Sequence, residues 1–431
     1  MDVTLLDALS PDPIALPLIA ALSRTGRPRV HHRLRAERFA TCQGCFECWI
    51  AHPGLCKVRD ATNDVLKDAV ASSEVVWALR PRFGCWDASS KQALDKFLGL
   101  LHPFFEPVDG ETHHKARYDQ NPRLGVVAVV DEEVSEADRA RFLCVVARNA
   151  LNLHQPAPWV AFVAPDATAD ELADTIAAAR ATTLRAFPTL PPFSPPPGVG
   201  VLALEGARPR RALLLVGSAK ARGTSTSEAI GQALLERLAA FGWDTATAHL
   251  AELVKLGRAD VQELQELLES VDLCILATPV YVDCLPALVL AALDRLGAAE
   301  VWERRPVLLP IVQCGFPELS HTVLALEVLA AAAEARGLSW GGHLACGAGP
   351  ALEGRSLAEP NGPATHVVHG LDLAAAALDR GEPVPVEATA EFGTSTMPDW
   401  LYRTMGNVGW VARAWQHGAA FSLGERTLAP S

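Results

Sequence analysis

The sequence contains no uninterrupted apolar run of membrane-spanning length, which takes about 20 residues, so no bilayer-spanning helix is expected. Its first residues lack a basic stretch followed by a long apolar one. No secretory signal is therefore expected, and the cytoplasm is the expected compartment. Positive charge is in deficit: 38 Lys and Arg stand against 50 Asp and Glu, a formal net charge of −12. That balance argues against nucleic-acid partners, which are held by basic patches. With 49% hydrophobic and 20% charged residues the chain is globular, and 431 residues suit two domains better than one core. The ten cysteines are mostly clustered or set inside apolar runs. Without an export signal, clustering suggests metal or redox chemistry more than a disulfide framework.

Residues 188–198, PTLPPFSPPPG, hold six prolines in eleven positions and cannot form a helix. They divide the chain, with a linker expected over 188–208. The second domain is expected over 209–385 and is organised around residues 211–242. An apolar run at 212–216 suits a buried parallel strand. A turn at Gly217 then leads into small, hydroxylated and basic residues: Ser218, Lys220, Arg222, Gly223, Thr224, Ser225, Thr226 and Ser227. A helix follows, with Ile230, Leu234 and Leu238 on one face and Gly242 as its stop. Strand, small polar loop and helix start form a phosphate cradle, in which amides, hydroxyls and the helix dipole face the anion. An ordinary Ser/Thr N-cap is the plainer reading of the same loop. It matches neither the Walker pattern nor the three-glycine dinucleotide pattern. Further strands are expected at 245–250, 273–277, 307–313 and 338–344, with helices at 226–241, 261–268, 286–296 and 320–335. That alternation means a parallel sheet covered on both faces, with ligands at the carboxyl ends of its strands.

In the first half, Cys42, Cys45, Cys48 and Cys56 are spaced C-x2-C-x2-C-x7-C. Thiolates in so compact a loop can reach the corners of a small cluster, as in [4Fe–4S] sites. Zinc could also take four thiolates, though its sites usually use two separated knuckles. Packing or redox thiols are the third reading, and all three stay open.

Three segments carry a family resemblance. Gly217-Ser218-Ala219-Lys220 with Ser225-Thr226-Ser227 resembles the phosphate loop of flavodoxin-like reductases. Thr278-Pro279-Val280-Tyr281 with the helix at 286–296 resembles the T-P-V-Y segment of the NADPH-dependent FMN reductase and multimeric flavodoxin family, although its usual lysine is Leu290 or a neighbour. Residues 307–316, VLLPIVQCGF, resemble the next strand and ring-contacting loop. The resemblance implies FMN, with its phosphate at Ser218, Lys220, Ser225, Thr226 and Ser227 and with Arg222 and Thr224 as further cofactor-binding residues; Lys220 and Arg222 suit the phosphate of FMN or that of NADPH, and both readings stay open. The ring is implied at Pro279, Val280, Tyr281, Val282, Cys314, Gly315 and Phe316. NADPH or NADH is implied as donor. The cysteine spacing is similar to that of the iron–sulfur flavoproteins, which implies a [4Fe–4S] cluster on those four residues. Relatives with a similar segment need not carry one.

The first domain, expected over 1–187, is a worn copy. A strand at 3–6 and a helix at 13–22 flank Asp7-Ala8-Leu9-Ser10-Pro11-Asp12, which has no glycine or basic residue and carries two carboxylates. No FMN phosphate is expected there. A strand at 75–79 and a helix at 89–101 keep the family's lysine as Lys91 and its aspartate as Asp95. Corresponding pieces lie roughly 200 residues apart, the signature of a domain duplication. Later strands are expected at 124–130 and 159–163, with amphipathic helices at 137–151 and 170–181. His113, His114, Arg117 and Tyr118 read as a solvated loop. Beyond a helix at 363–381, a C-terminal extension over 386–431 brings Trp400, Tyr402, Trp410 and Trp415, expected to pack in a core or interface. The expected fold is α/β: two tandem flavodoxin-like doubly wound parallel-sheet domains, the first degenerate, with a helical and aromatic extension. The expected activity passes electrons from NAD(P)H through FMN to a quinone, flavin or other small acceptor, in an intrachain pseudo-dimer or a further homodimer. The rival expectation is an electron carrier or redox sensor serving a protein partner.

Overall fold

The computed structural model describes residues 2–25, 28–184, 190, 192–195, 210–254, 261–297, 302, 304–395 and 397–428. The linker expected at 188–208 lies outside them except for 190 and 192–195. The chain separates into two units, Met1–Thr189 with Arg403–Ser431, and Leu190–Tyr402.

The first unit runs β1 (Val3–Asp7), α1 (Ala15–Thr25), β2 (Pro28–Arg33), α2 (Glu47–Ile50), α3 (Thr62–Val70), β3 (Glu74–Leu79) and α4 (Ala88–Leu94). It continues with β4 (Leu101–Val108), β5 (Glu111–Ala116), β6 (Arg123–Val129), α5 (Glu136–Asn152), β7 (Trp159–Val163) and α6 (Ala169–Ala181). Its parallel sheet has the order β2-β1-β3-β6-β7. The central strands β1 and β3 are buried along their whole length, and their residues are mostly apolar for that reason. Edge strand β2, PRVHHR, is polar and partly exposed, as an edge must be to avoid pairing with other chains. Glu74, fully buried on β3, is matched by the Trp159 indole at 2.7 Å and by Arg180 at 2.6 Å.

The second unit runs β8 (Arg211–Val216), α7 (Thr226–Ala240), β9 (Asp244–His249), α8 (Leu250–Leu253), α9 (Val261–Glu269), β10 (Leu273–Pro279) and α10 (Ala287–Arg295). Then come β11 (Val307–Gln313), α11 (Ser320–Ala335), β12 (Ser339–Trp340), β13 (Leu344–Cys346), α12 (Thr365–Asp379), α13 (Val386–Phe392) and the first turn of α14 (Asp399–Gln416), whose remainder from Arg403 belongs to the first unit. Its sheet has the order β9-β8-β10-β11-β12, with β13 also on β11, all parallel. Numbered within each unit, both sheets read 2-1-3-4-5, the flavodoxin-like order. Ile230, Leu234 and Leu238 of α7 are fully buried against this sheet, each stabilising by about 1.5–3 kcal/mol.

Three expectations needed correction. The strand expected at 338–344 is split into β12 and β13. Gly341 and Gly342 step between them, and a Cβ on Gly342, at φ +95°, would lie 2.8 Å from Val384 Cβ. The helix expected at 89–101 ends at Leu94, followed by a 3-10 turn, Phe97–Leu100. The segment read as a solvated loop is the hairpin β4–β5, turned at Asp109 and Gly110 with φ 50° and 89°. His113, Arg117 and Tyr118 are buried there. An Asp-Gly pair is a strong short-range hairpin signal, and it stood in the sequence.

Candidate functional site

The three candidate loops of the second unit leave the carboxyl ends of β8, β10 and β11, which are neighbours in one sheet. From β8 the chain goes to β9 on one side, and it returns to β10 on the other. That reversal is the switch point where a doubly wound sheet opens a crevice.

The first loop is pinned to the sheet by Gly217, whose N–H donates to the Ala277 carbonyl at 2.8 Å. A Cβ at Gly217 would stand 2.8 Å from Val289 Cγ2 and 3.0 Å from Thr278 Cβ, so glycine is required by close approach. Ser225 caps α7, its Oγ accepting from the Glu228 N–H at 3.4 Å. Thr226 and Ser227 follow in the first turn, where helix geometry leaves amides without an intrahelical acceptor. Ser218, Ser225 and Ser227 are buried. Ser218 Oγ accepts from the Lys220 N–H at 3.3 Å, and the Thr224 hydroxyl donates back to the Ala221 carbonyl at 2.7 Å. The two cations differ. Arg222 is exposed and its guanidinium forks onto Glu252, with Nε donating at 2.7 Å. Lys220 has no ion-pair partner among the described residues. The Glu228 carboxylate accepts from the Gly223 N–H at 2.8 Å and bonds His249 at 3.0 Å, so an anion already lies against one loop amide.

The second loop follows Pro279, the last residue of β10. Val280 donates its N–H to the Gln313 carbonyl at 2.9 Å. Tyr281 and Cys284 exchange main-chain bonds of 2.8 and 3.2 Å around Val282 and Asp283, both left-handed at φ 53° and 54°. Such a conformation costs a β-branched residue about 1–3 kcal/mol, and strain of this kind gathers at functional sites. His321 Nδ1 meets Asp283 Oδ1 at 2.7 Å and fastens the turn. The first unit has the same device after β3: Arg82 and Cys85 exchange bonds of 2.9 Å around Phe83 and Gly84, at φ 56° and 68°.

In the third loop the main chain of Cys314 is engaged with the segment after β13, donating to the Cys346 carbonyl at 3.0 Å and accepting from the Gly349 N–H at 2.8 Å. Its sulfur accepts from the Phe316 N–H at 3.2 Å, and burial pushes the thiol well up. Burial likewise pushes Cys346 up to about 12. Gly315 is exposed, and its carbonyl accepts from the Tyr402 hydroxyl at 2.6 Å. Phe316 packs on the His321 ring at 4.7 Å between centroids.

The sequence pointed to those loops but missed the residue that joins them. Gln313 Nε2 donates to Ser227 Oγ at 3.3 Å, its carbonyl accepts from Val280, and its Oε1 would be struck at 1.9 Å by any Cβ on Gly349. Asp283, His321 and Tyr402 were also missed as loop supports, because their partners lie 38 and 87 residues away.

The first unit's corresponding loop is occupied by its own acid. Asp7 Oδ1 accepts from the Leu9 and Ser10 amides at 2.7 and 3.0 Å, and Oδ2 bonds Ser10 Oγ at 2.5 Å and His31 at 3.0 Å. Asp12 is held by Arg80 Nε and Nη2 at 2.9 and 2.8 Å. Carboxylates sit where a phosphate would need donors.

Cys42, Cys45, Cys48 and Cys56 are all free thiols, Cys45 exposed and the others half-buried. Gly44 and Phe46, at φ 62° and 60°, curl the loop so that α2 starts at Glu47. Trp49 anchors it from below, stacked on Phe46 at 5.1 Å and donating its indole N–H to the Leu98 carbonyl at 2.8 Å. Trp410 stands edge-on to both rings at 5.3 Å. Cys48 lies within electrostatic reach of the other three thiols. Burial raises Cys48 first, and Cys42, Cys45 and Cys56 raise it further. Burial pushes Cys42 up to about 12. Among the described residues no three of these sulfurs come within 4.8 Å of one another. Four thiolates on one zinc ion, at about 2.3 Å each, would stand closer than that. A four-iron core spreads its thiolates over separate irons, so four clustered, unpaired thiols fit a metal–thiolate group of that wider kind.

A doubly wound sheet with a small, hydroxyl-rich loop at its switch point defines the second unit as a flavodoxin-like domain. Residues 210–338 match the family model described as NADPH-dependent FMN reductase. No curated protein matches the chain. Solved structures similar to it include an NADH:FMN oxidoreductase in its apo form, at 23% identity and TM-score 0.27, covering 32% of this chain and 76% of that one. An NAD(P)H:quinone oxidoreductase from Methanothermobacter marburgensis is similar at 18% identity and TM-score 0.27, covering 33% and 85%. An FMN-dependent NADH-azoreductase from Bacillus anthracis, in complex with FMN, is similar at 13% identity and TM-score 0.30, covering 39% and 100%. No helix among the described residues is long and apolar enough to cross a membrane.

Proposed function

We infer that the chain is an FMN-dependent NAD(P)H oxidoreductase that passes electrons to a quinone, flavin or other small acceptor. The observation that carries this reading is the phosphate loop at the switch point of the second sheet, inside the segment that matches the reductase family. Buried Ser218, Ser225 and Ser227 and the first amides of α7 would hold the FMN phosphate, with Lys220 as its counter-charge. The exposed Gly315 and the strained turn at Val282 and Asp283 would place main-chain groups beside the ring, with Gln313 keeping the three loops in register. Bound FMN supplies the electron-transfer chemistry, taking electrons from a nicotinamide and releasing them to the acceptor.

The four cysteines of the first unit would hold a [4Fe–4S] cluster, supported by their clustering and by the absence of any disulfide among them. The shared strand order and the shared turn after the third strand support a tandem duplication, with the first copy's phosphate loop closed by Asp7. The test is the absorbance spectrum of anaerobically purified protein, with iron and acid-labile sulfide assayed on the same sample. Near one FMN per chain, bleached rapidly by NADPH or NADH with steady turnover on a quinone, is the expected result. Protein free of flavin even after incubation with FMN would sink the reading. Slow bleaching by nicotinamide but fast reduction by a ferredoxin would replace it with an electron carrier.

A further inference from the structure

Arg117 is the most deeply buried guanidinium among the described residues, 1% exposed, and it has no carboxylate partner there. Its Nε donates to the carbonyls of Gly99 and Leu101 at 3.1 and 3.2 Å, and Nη2 donates to Leu101 at 2.9 Å. Nη1 donates to the carbonyls of Leu423 and Glu425 at 3.0 and 2.8 Å. These acceptors satisfy its N–H groups without neutralising its charge. A buried cation left without an anion is costly, because nothing offsets the loss of its hydration.

The position of the side chain shows where the missing anion belongs. Arg117 packs against Gly54, where an added Cβ would lie 3.7 Å from its Cδ and 3.8 Å from its Nε. Gly54 in turn donates its N–H to the Cys48 carbonyl at 2.8 Å, in the segment that joins Cys48 to Cys56. Gly99, whose carbonyl accepts from Arg117, is pressed on the same segment: a Cβ there would be 2.7 Å from the Gly54 oxygen. Burial disfavours the charged form of Arg117, and the groups that oppose that effect are Tyr118 and Cys48. The Tyr118 hydroxyl accepts from the Leu428 N–H at 3.2 Å and is kept neutral by burial. The cysteine loop remains.

We propose that the Arg117 guanidinium is the built-in counter-ion of an anionic metal–thiolate centre on Cys42, Cys45, Cys48 and Cys56, and that it raises the reduction potential of that centre. This rests on the cluster reading of those cysteines. Four thiolates on a [4Fe–4S] core of charge 2+ carry a total charge of 2−. One electron taken up makes it 3−, with no bond formed or broken. A fixed positive charge in a poorly solvated floor favours the more negative state.

The test uses the full chain, loaded anaerobically with ferrous iron and sulfide, as wild type, Arg117→Met, Arg117→Lys and Thr427→Val. Thr427→Val removes the bond from Thr427 Oγ1 to the Pro53 carbonyl, 2.7 Å, and so loosens the tail at the loop without touching the charge. Two readouts are taken: midpoint potential by spectroelectrochemical titration with dithionite as one-electron donor, and the rate at which a ferrous chelator strips the iron. Arg117→Met is expected to shift the potential negative and to lose iron about tenfold faster or more, while Arg117→Lys and Thr427→Val stay near wild type. Arg117→Met with unchanged potential and iron retention overturns the proposal and leaves the cluster standing. Equal losses in all three variants assign Arg117 to tail docking alone and overturn it as well. Wild type that takes up no iron overturns the cluster reading, and the proposal with it.

Discussion

Lys220 and Arg222 lie two residues apart in the phosphate loop, and the sequence cannot choose between them. The structure separates them: Arg222 is forked onto Glu252 while Lys220 has no such partner among the described residues. Lys220→Met should therefore remove a charge-assisted bond to the FMN phosphate. Such bonds contribute about 1.5–3 kcal/mol, which is roughly 10- to 150-fold in Kd at about 1.4 kcal/mol per decade. Arg222→Met removes a guanidinium that is exposed, screened by solvent and already committed to a carboxylate, so the affinity should change by less than about twofold. The assay is titration of flavin-stripped protein with FMN, followed by quenching of flavin fluorescence at fixed ionic strength. Repeating it at higher salt adds a second check: wild type should lose affinity faster than Lys220→Met, because only wild type holds the anion with a lysine. Equal losses for both variants, or a large loss for Arg222→Met alone, would refute the assignment.

Gln313→Ala removes the bond to Ser227 Oγ but keeps the main-chain bond to Val280. FMN affinity should fall by about 1 kcal/mol, roughly fivefold, with little change in unfolding midpoint; an unchanged Kd would show that Gln313 does not hold the loops together. Flavin stoichiometry should be one per chain, since Asp7 occupies the first loop's amides. Two flavins per chain by absorbance would contradict that. Gly125→Ala would drive a Cβ to 2.3 Å from the Trp159 ring and disturb its bond to buried Glu74. It should destabilise the protein by about 3 kcal/mol or more in urea unfolding, and a change under about 0.5 kcal/mol would count against the packing argument. Burial lowers His114 from 6.5 to about 3, and His102 and His343 from 6.5 to about 4. Below pH 6.5 the unfolded chain binds protons that the folded chain does not. Stability should therefore fall as the pH is lowered from about 6.5 to 4, by as much as about 1.4 kcal/mol per pH unit for His114 and for His343, and by less for His102, which solvent screens. His114→Gln should flatten that slope, and an unaltered slope would clear His114 of the effect.

What the sequence alone determined was local. Alternating apolar runs and amphipathic helices set both doubly wound sheets, because a strand buried on both faces must be largely apolar, as β3 beyond Glu74 and β10 before Thr278 are. The strand, turn and capped helix around the candidate phosphate loop were legible because they lie with small hydroxylated residues within one short stretch. The loss of the first loop was legible for the same reason, since two carboxylates and no glycine are visible locally. The hairpin at β4–β5 was legible too, in Asp109-Gly110, but polar residues around it suggested solvent. They are buried because Arg117 finds main-chain acceptors more than 300 residues away, at Leu423 and Glu425. Tertiary structure alone decided the rest: which cation is committed, that Gln313 ties Ser227 to the strand ends, that Asp283 meets His321, and that a lone guanidinium lies beneath the cysteine loop. Each of these depends on a partner far away in the chain. Periodicity and turn chemistry report what a residue's neighbours in sequence require of it, whereas charge compensation and hydrogen-bond satisfaction are settled only when the chain closes on itself.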